Sequence, residues 1–235
     1  MKHRTPPEVE ELCGVWVRRS LEWADGRSDT TTQVTWLQGA EWFVDLRRPG
    51  IGPPAGTWVP QLEAFAGRLT RSCSATAEFT WERLIDWSKP AGPDIGRLNW
   101  DGNDLIEVGV LEPYREVWVQ AERHSPDDSA TASFTDGAGR SGIVLRSAGF
   151  FGFAVGRTPR TGELHLDCEI GIGVITDGSW QIRSSTRDET DGAPICLDVN
   201  DTEAKITAPP SCACLLAGTW QISEITGDPA LLQTL

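Results

Sequence analysis

The chain reads as an all-β protein of two antiparallel barrels, and three observations predict this. Short runs of alternating apolar and polar residues recur about every 8 to 12 residues, Gly, Pro, Asp and Asn separate them, and strands nowhere alternate with helices. A length of 235 residues suits one large or two small domains with real cores.

Taken in order, the first half predicts strands over 14–23, 31–38, 41–47, 75–87, 95–100, 104–111 and 114–122. Asp25-Gly26, Pro49-Gly50, Asp101-Gly102 and Pro113 supply the turns. One short helix is expected over 59–67, where Val59, Leu62, Phe65 and Ala66 have helical spacing. The polar stretch 123–130, with Pro126, Asp127 and Asp128, breaks the pattern and marks a boundary between domains at 8–124 and 129–226. The second half predicts strands over 131–135, 141–147, 150–156, 162–175, 178–186, 195–199, 203–207 and 216–225. Its turns carry Asp136-Gly137, Asp177-Gly178 and Asp191-Gly192. Each half is thus a meander of seven or eight strands, a number that closes into a small barrel.

Composition narrows the function. Lys plus Arg number 21 against 34 Asp plus Glu, a formal charge of -13, which argues against nucleic acid as a partner. No apolar run reaches the roughly 18 to 20 residues of a membrane helix, and residues 1–11 lack the apolar segment of an export signal. A soluble, cytoplasmic protein without membrane insertion is expected. The six cysteines form no CxxC pair and have no His-rich companion, so they read as buried or free thiols and no metal is expected. His165, Asp167 and Glu169 lie about 7 Å apart along one predicted strand, too far to share an ion, and read as a solvent face. Without a glycine-rich nucleotide loop, a Gly-x-Ser-x-Gly elbow or an HExxH motif, no cofactor is implied. The aromatic set is unusual: 11 Trp and 7 Phe against one Tyr.

Gly14-Val15-Trp16 and Gly218-Thr219-Trp220 resemble the G-x-W motif of the lipocalin or calycin class, in which the tryptophan closes the base of a barrel. A broader likeness runs through Trp16–Ser20, Asp29–Gln38, Val44–Pro49, Trp81–Asp86, Asp94–Arg97, Tyr114–Trp118, Leu166–Ile170 and Trp180–Thr186. These segments resemble a largely uncharacterised bacterial and fungal family related to the yeast Hri proteins, which interact with a casein kinase. The resemblance covers roughly residues 13 to 190 and implies two calycin-like barrels. The tail 196–235 and the Gly149–Phe153 run depart from it.

Strand parity then selects a lining. Residues two apart share a face, which groups Trp16 with Arg18 and Ser20, and Val34 with Trp36 and Gln38. It likewise groups Phe79 with Trp81, Arg83 and Ile85, Leu105 with Glu107 and Gly109, and Tyr114 with Glu116, Trp118 and Gln120. Pointed inward, this face makes a small-molecule pocket of large apolar walls with fixed polar groups; pointed outward, it stacks against the other barrel. Asp45 and Arg47 take the opposite parity to Trp42, Val44 and Leu46 and read as an ion pair at a rim. With a two- or four-residue loop, paired positions across the last hairpin sum to 225, setting Glu107 opposite Trp118 and Glu116 opposite Gly109, where glycine leaves room. Glu107 and Glu116 become diagonal neighbours on the order of 7 Å apart. One of them then keeps its proton toward neutral pH unless Arg18 or Arg83 intervenes.

The leading functional reading is a cofactor-independent cyclase, isomerase or dehydratase of specialised metabolism acting on a hydrophobic small molecule. Glu116 or Glu107 would serve as base or acid, with the roles not assigned between them, Tyr114 and Gln38 would donate hydrogen bonds, and Arg18 or Arg83 would orient a carbonyl or carboxylate. Trp16, Trp36, Trp81, Trp118 and Gln120 would shape the substrate. A non-catalytic carrier and a protein-interaction module stand as alternatives, and a homodimer is left open.

Overall fold

The computed structural model describes residues 6–50, 61–74, 76–88, 92–157 and 167–234. The first sheet comprises β1 (Gly14–Trp23), β2 (Ser28–Asp29), β3 (Gln33–Gln38), β4 (Trp42–Arg48), β5 (Glu63–Arg71), β6 (Glu78–Asp86), β7 (Asp94–Asp101), β8 (Asp104–Gly109) and β9 (Tyr114–Arg123). It is a meander in which β9 returns to pair with β1, closing an antiparallel barrel with the two-residue β2 as an appendage on β1. The second barrel holds β10 (Ser129–Thr135), β11 (Ser141–Ser147), β12 (Phe150–Gly156), β13 (Glu169–Thr176), β14 (Ser179–Ser185), β15 (Pro194–Val199), β16 (Glu203–Thr207) and β17 (Gly218–Gly227). It closes through β10 and β17. Among the described residues only short 3₁₀ turns are helical, and no helix is long and apolar enough to cross a membrane.

The expected helix over 59–67 is corrected: Glu63–Arg71 is strand β5, and residues 59 and 60 lie outside the described residues. Alternation is hidden there because both faces are buried. Phe65 and Leu69 point into the first barrel, while Ala64 and Ala66 pack against the second. Strand β4 behaves alike, Phe43 facing inward and Trp42, Val44 and Leu46 outward.

Those outward residues meet Ile143, Leu145, Ala154, Ile170 and Ile172 in an apolar seam between the barrels. Gly152 is required at this seam, since a Cβ there would stand 2.8 Å from Val44 Cβ and Cγ2. That accounts for one glycine of the unusual Gly149–Phe153 run. Arg48 adds a polar clasp by donating to Ser184 Oγ, the Ser185 carbonyl and the carboxylates of Asp188 and Asp191.

The two G-x-W motifs prove to be equivalent devices. Trp16 Nε1 donates to the Leu12 carbonyl at 2.7 Å, and Trp220 Nε1 to the Leu216 carbonyl at 2.8 Å. Each glycine sits in an extended backbone region with positive φ, 134° at Gly14 and 152° at Gly218. A Cβ on Gly14 would lie 2.1 Å from the Glu122 carbonyl oxygen, so the closure of β1 on β9 demands glycine. The motif strand comes first in one barrel and last in the other.

The interior of the second barrel is packed with Phe134, Phe151, Phe153, Trp180 and Trp220, with Leu232 of the tail inserted among them. Glu169, expected on a solvent face, is fully buried instead: it accepts hydrogen bonds from Ser185 Oγ at 3.1 Å and the Leu215 amide at 2.6 Å, anchoring the loop before β17. Asp167 is exposed, and His165 lies outside the described residues.

Candidate functional site

The lumen of the first barrel has two halves of opposite character. Toward the 3₁₀ turn Val9–Leu12 it is solid aromatic core. Trp16 stacks on Trp36 with centroids 5.7 Å apart, and Trp36 also meets Trp81 at 5.9 Å and Trp118 at 5.4 Å. All four are buried, and each ring contact adds about 0.5–1.5 kcal/mol beyond burial alone. Their polar edges are used internally: Trp36 Nε1 donates to Gln38 Oε1, and Gln38 Nε2 to the Gly39 carbonyl. Gln120 Nε2 reaches the Cys13 carbonyl at 3.3 Å. These tryptophans and glutamines share the inward face, yet they pack on one another beneath the cavity and do not line it.

The other half opens into a cavity of about 290 Å³. Of the residues singled out from sequence, Arg18, Arg83, Tyr114 and Glu116 are on its wall. Its other charged wall groups are Arg47, Glu63, Asp94 and Glu112, with Leu21, Trp23 and Ile95 among the apolar ones. Arg47 and Asp45 are therefore interior residues, not a rim pair: Asp45 is 2% exposed, lies opposite Trp36 in the register, and accepts from Arg47 Nε at 2.8 Å. Ile85 leaves the Trp81 face because a bulge between Ala66 and Gly67 breaks the parity of β6, sending Ile85 to the seam.

The β8–β9 hairpin corrects the expected register. Its pairs sum to 223, so Glu107 stands directly opposite Glu116, and Leu105 opposite Trp118. The four residues 110–113 between the strands are centred one position earlier than the expected turn, with Val110 still donating to the Ile95 carbonyl in the β7–β8 register and Tyr114 donating to that of Glu112. The room beside Gly109 is taken by the Tyr114 ring, whereas Gly96 accommodates Glu107, whose Cγ would lie 2.9 Å from a Cβ there.

The two carboxyls have different partners. Glu107 accepts from Tyr114 Oη at 2.6 Å and Trp118 Nε1 at 3.1 Å, both neutral donors. Burial, and then the charge of Glu116, push Glu107 well above the ordinary glutamate range. Glu116 accepts from Arg18 Nη1 at 2.7 Å. Burial raises Glu116 as well, and Arg47 and Arg18 lessen that rise without cancelling it, so of the two carboxyls Glu107 holds its proton the more firmly. Burial and the Glu107 charge also raise Tyr114, which stays a phenol.

Each guanidinium in the lumen already holds carboxylates. Arg18 bridges Glu116 and Asp29, both at 2.7 Å. Arg83 bridges Asp94 at 2.5 Å and Asp86 at 3.3 Å, lying over the Phe65 ring at 3.6 Å. The Arg83–Asp94 pair spans the stretch where β6 and β7, paired only from Glu78 to Trp81, have separated. Burial opposes the charge of Arg47, but Asp45, Glu116 and Glu63 outweigh it and hold the group above its ordinary value. Burial likewise opposes ionisation of Asp29, yet hydrogen bonds from Thr31 and Thr32 keep it below the usual range. Such networks are worth little net stability compared with an apolar core, but losing one member leaves a buried charge unpaired.

Among the described residues no cluster of three or more His, Cys, Asp and Glu side chains is arranged to hold a metal ion. All six cysteines are free thiols.

No family model and no curated protein matches the sequence. The fold is similar to the crystal structure of the uncharacterized protein YLR301w from Saccharomyces cerevisiae, with a TM-score of 0.63 and 13% identity over 91% of this chain and 98% of that one. That likeness is one of fold alone. A two-barrel architecture of this kind, with its buried tryptophan cluster, is compatible with small-molecule binding.

Proposed function

We propose that the chain binds a small molecule in the open half of its N-terminal barrel, the unit formed by residues 8–124. The observation that carries this reading is the built asymmetry of the lumen: a rigid aromatic floor under a walled cavity whose polar groups are held by ion pairs on several strands. A site whose groups are fixed before the ligand arrives loses less freedom on binding. The hydrophobic ligand expected from sequence does not suit this wall, where ionised groups alternate with short apolar patches. A compact polar molecule does.

The test is a fragment screen by ligand-observed NMR, repeated with Leu21→Trp, which fills the cavity from its wall. Fragments that bind the natural protein and lose binding in a folded Leu21→Trp variant support the reading. Fragments that bind both equally defeat it.

A second reading, proton-transfer catalysis of the cyclase, isomerase or dehydratase type, is favoured by one feature. Glu107, the more strongly raised carboxyl, reaches the cavity through Tyr114 Oη, while Glu116, paired with Arg18, faces the same space, so a better acid and a better base stand on one wall. Glu107→Gln and Glu116→Gln would each abolish turnover of any substrate found; unchanged turnover in both removes the chemistry and leaves the binding.

A further inference from the structure

The hydrogen bonding of the cavity wall deepens that reading by naming a ligand class. Its guanidiniums and carboxylates are already matched to one another: Arg18 holds Glu116 and Asp29, Arg47 holds Asp45 and faces Glu63 and Glu116, and Arg83 holds Asp94 and Asp86. A cation would find these carboxylates engaged by arginine. An anion would enter among carboxylates that outnumber the guanidiniums, and would have to break a buried pair and strand its charge. A neutral ligand meets neither obstacle, and the wall then decides which polar atom it carries.

What the wall leaves unmet is a donor. Arg83 Nε is buried and makes no hydrogen bond among the described residues. Nε and Nη2 lie along one edge of a guanidinium, the edge that takes two acceptors side by side. Asp94 fills only the Nη2 half of it, through Oδ2. Nη1 is held by Asp86, and the guanidinium carbon lies 3.6 Å from the centroid of the Phe65 ring, so the donor is fixed before any ligand arrives. The Nε of Arg71 and Arg97 are idle as well, but neither residue is on the cavity wall; Arg83 is, with its side chain still 20% exposed. A buried charged donor without an acceptor is unfavourable in a native wall, and an acceptor brought by a ligand relieves it.

We infer that the cavity takes a small neutral molecule with a carbonyl-type oxygen, an amide, lactam or ketone, which accepts from Arg83 Nε while its hydrocarbon part meets the apolar wall residues Leu21 and Ile95. The inference rests on the binding reading above, and its test separates the two. Three probes built on one ring size, N-methylpiperidin-2-one, N-methylpiperidinium and cyclohexanecarboxylate, are titrated by ligand-observed NMR at physiological salt, where the charge of the acidic surface is screened over about 8 Å. Arg83→Lys puts Cε where Nε stood and keeps a positive charge for Asp94 and Asp86. Arg97→Lys makes the same exchange at an idle Nε away from the cavity.

The expected result is that the lactam binds at least about tenfold more tightly than either ion, the low end of what a hydrogen bond to a charged donor supplies. Arg83→Lys removes that preference and Arg97→Lys keeps it. Either ion binding as tightly as the lactam overturns the inference but leaves the cavity a binding site. So does a preference that survives Arg83→Lys. Should Arg83→Lys not fold, the Nε–H proton resonance of Arg83 in the natural protein decides: a downfield shift on addition of the lactam is expected, and a resonance that does not move overturns the inference. If none of the three probes binds, the inference is overturned, and the fragment screen then decides the binding reading separately.

Discussion

Replacing Glu107 with glutamine probes the lumen electrostatics through stability alone, with no ligand needed. Glu107 is 4% exposed and its hydrogen-bond donors are neutral, so it ionises less readily in the native protein than in the unfolded chain, where a glutamate loses its proton near about pH 4.3. Above that pH the unfolded state has released a proton that the native state still holds. Raising the pH therefore favours unfolding. The associated stability is intact below the unfolded value, and it falls by about 1.4 kcal/mol per pH unit until the native carboxyl itself ionises. Glutamine has no such proton, and Glu116 sees an uncharged neighbour in either protein over this range, so its titration cancels in the difference. Glutamine offers one acceptor oxygen to two donors, a pH-independent loss of about 1 kcal/mol. Urea melts from pH 4.5 to 8 should show the natural protein more stable at the acid end and Glu107→Gln overtaking it as pH rises. A stability difference that does not change with pH refutes the protonated Glu107.

Other expectations are as specific. Gly152→Ala forces a Cβ against Val44 and should cost about 1–3 kcal/mol in a denaturant melt, with much of it recovered in the Gly152→Ala, Val44→Ala double variant. Arg18→Met strands Glu116 and Asp29 and should lower stability at neutral pH by about 3–5 kcal/mol, a loss that shrinks as acid protonates the pair. Trp36→Phe removes the ring that three other tryptophans contact, and should flatten the near-ultraviolet circular dichroism while the far-ultraviolet strand signal persists. Alkylation mapped by mass spectrometry should mark Cys73 and Cys196 in the native protein and spare Cys13, Cys168 and Cys214. Burial pushes those three thiols up, to about 11 for Cys13 and about 12 for Cys168 and Cys214.

The all-β class was legible because turn residues punctuate the chain at short intervals and because strands such as β6, β14, β15 and β16 keep one buried and one more open face, so their alternation survives in the letters. Burial on both faces did not hide β11 and β12, which their flanking turns delimit, but it let β5 mimic a helix and let β4 disguise Asp45 and Arg47 as rim residues. Parity found the inward face of Trp16, Trp36, Trp81 and Trp118 but says nothing of height along the barrel axis. It could not tell the aromatic floor from the cavity above it. The opposed glutamates were nearly in reach: the four-residue turn is centred one position earlier than expected, which shifts every pair by two, and nothing in Leu111-Glu112-Pro113 marks that centre. Glu63 fell inside the false helix and was lost with it.

Strand β4 has a consequence beyond its own residues. Its odd-numbered side chains from Phe43 to Arg47 face the lumen of the first barrel, Phe43 in the aromatic core and Arg47 on the cavity wall, and the even-numbered ones from Trp42 to Leu46 grip the neighbouring barrel, so one ribbon of backbone answers to two packings at once. A displacement of a few tenths of an ångström toward either side tightens one and slackens the other. The companion barrel, with its own interior filled, thereby acts as a splint that sets the chamber's width.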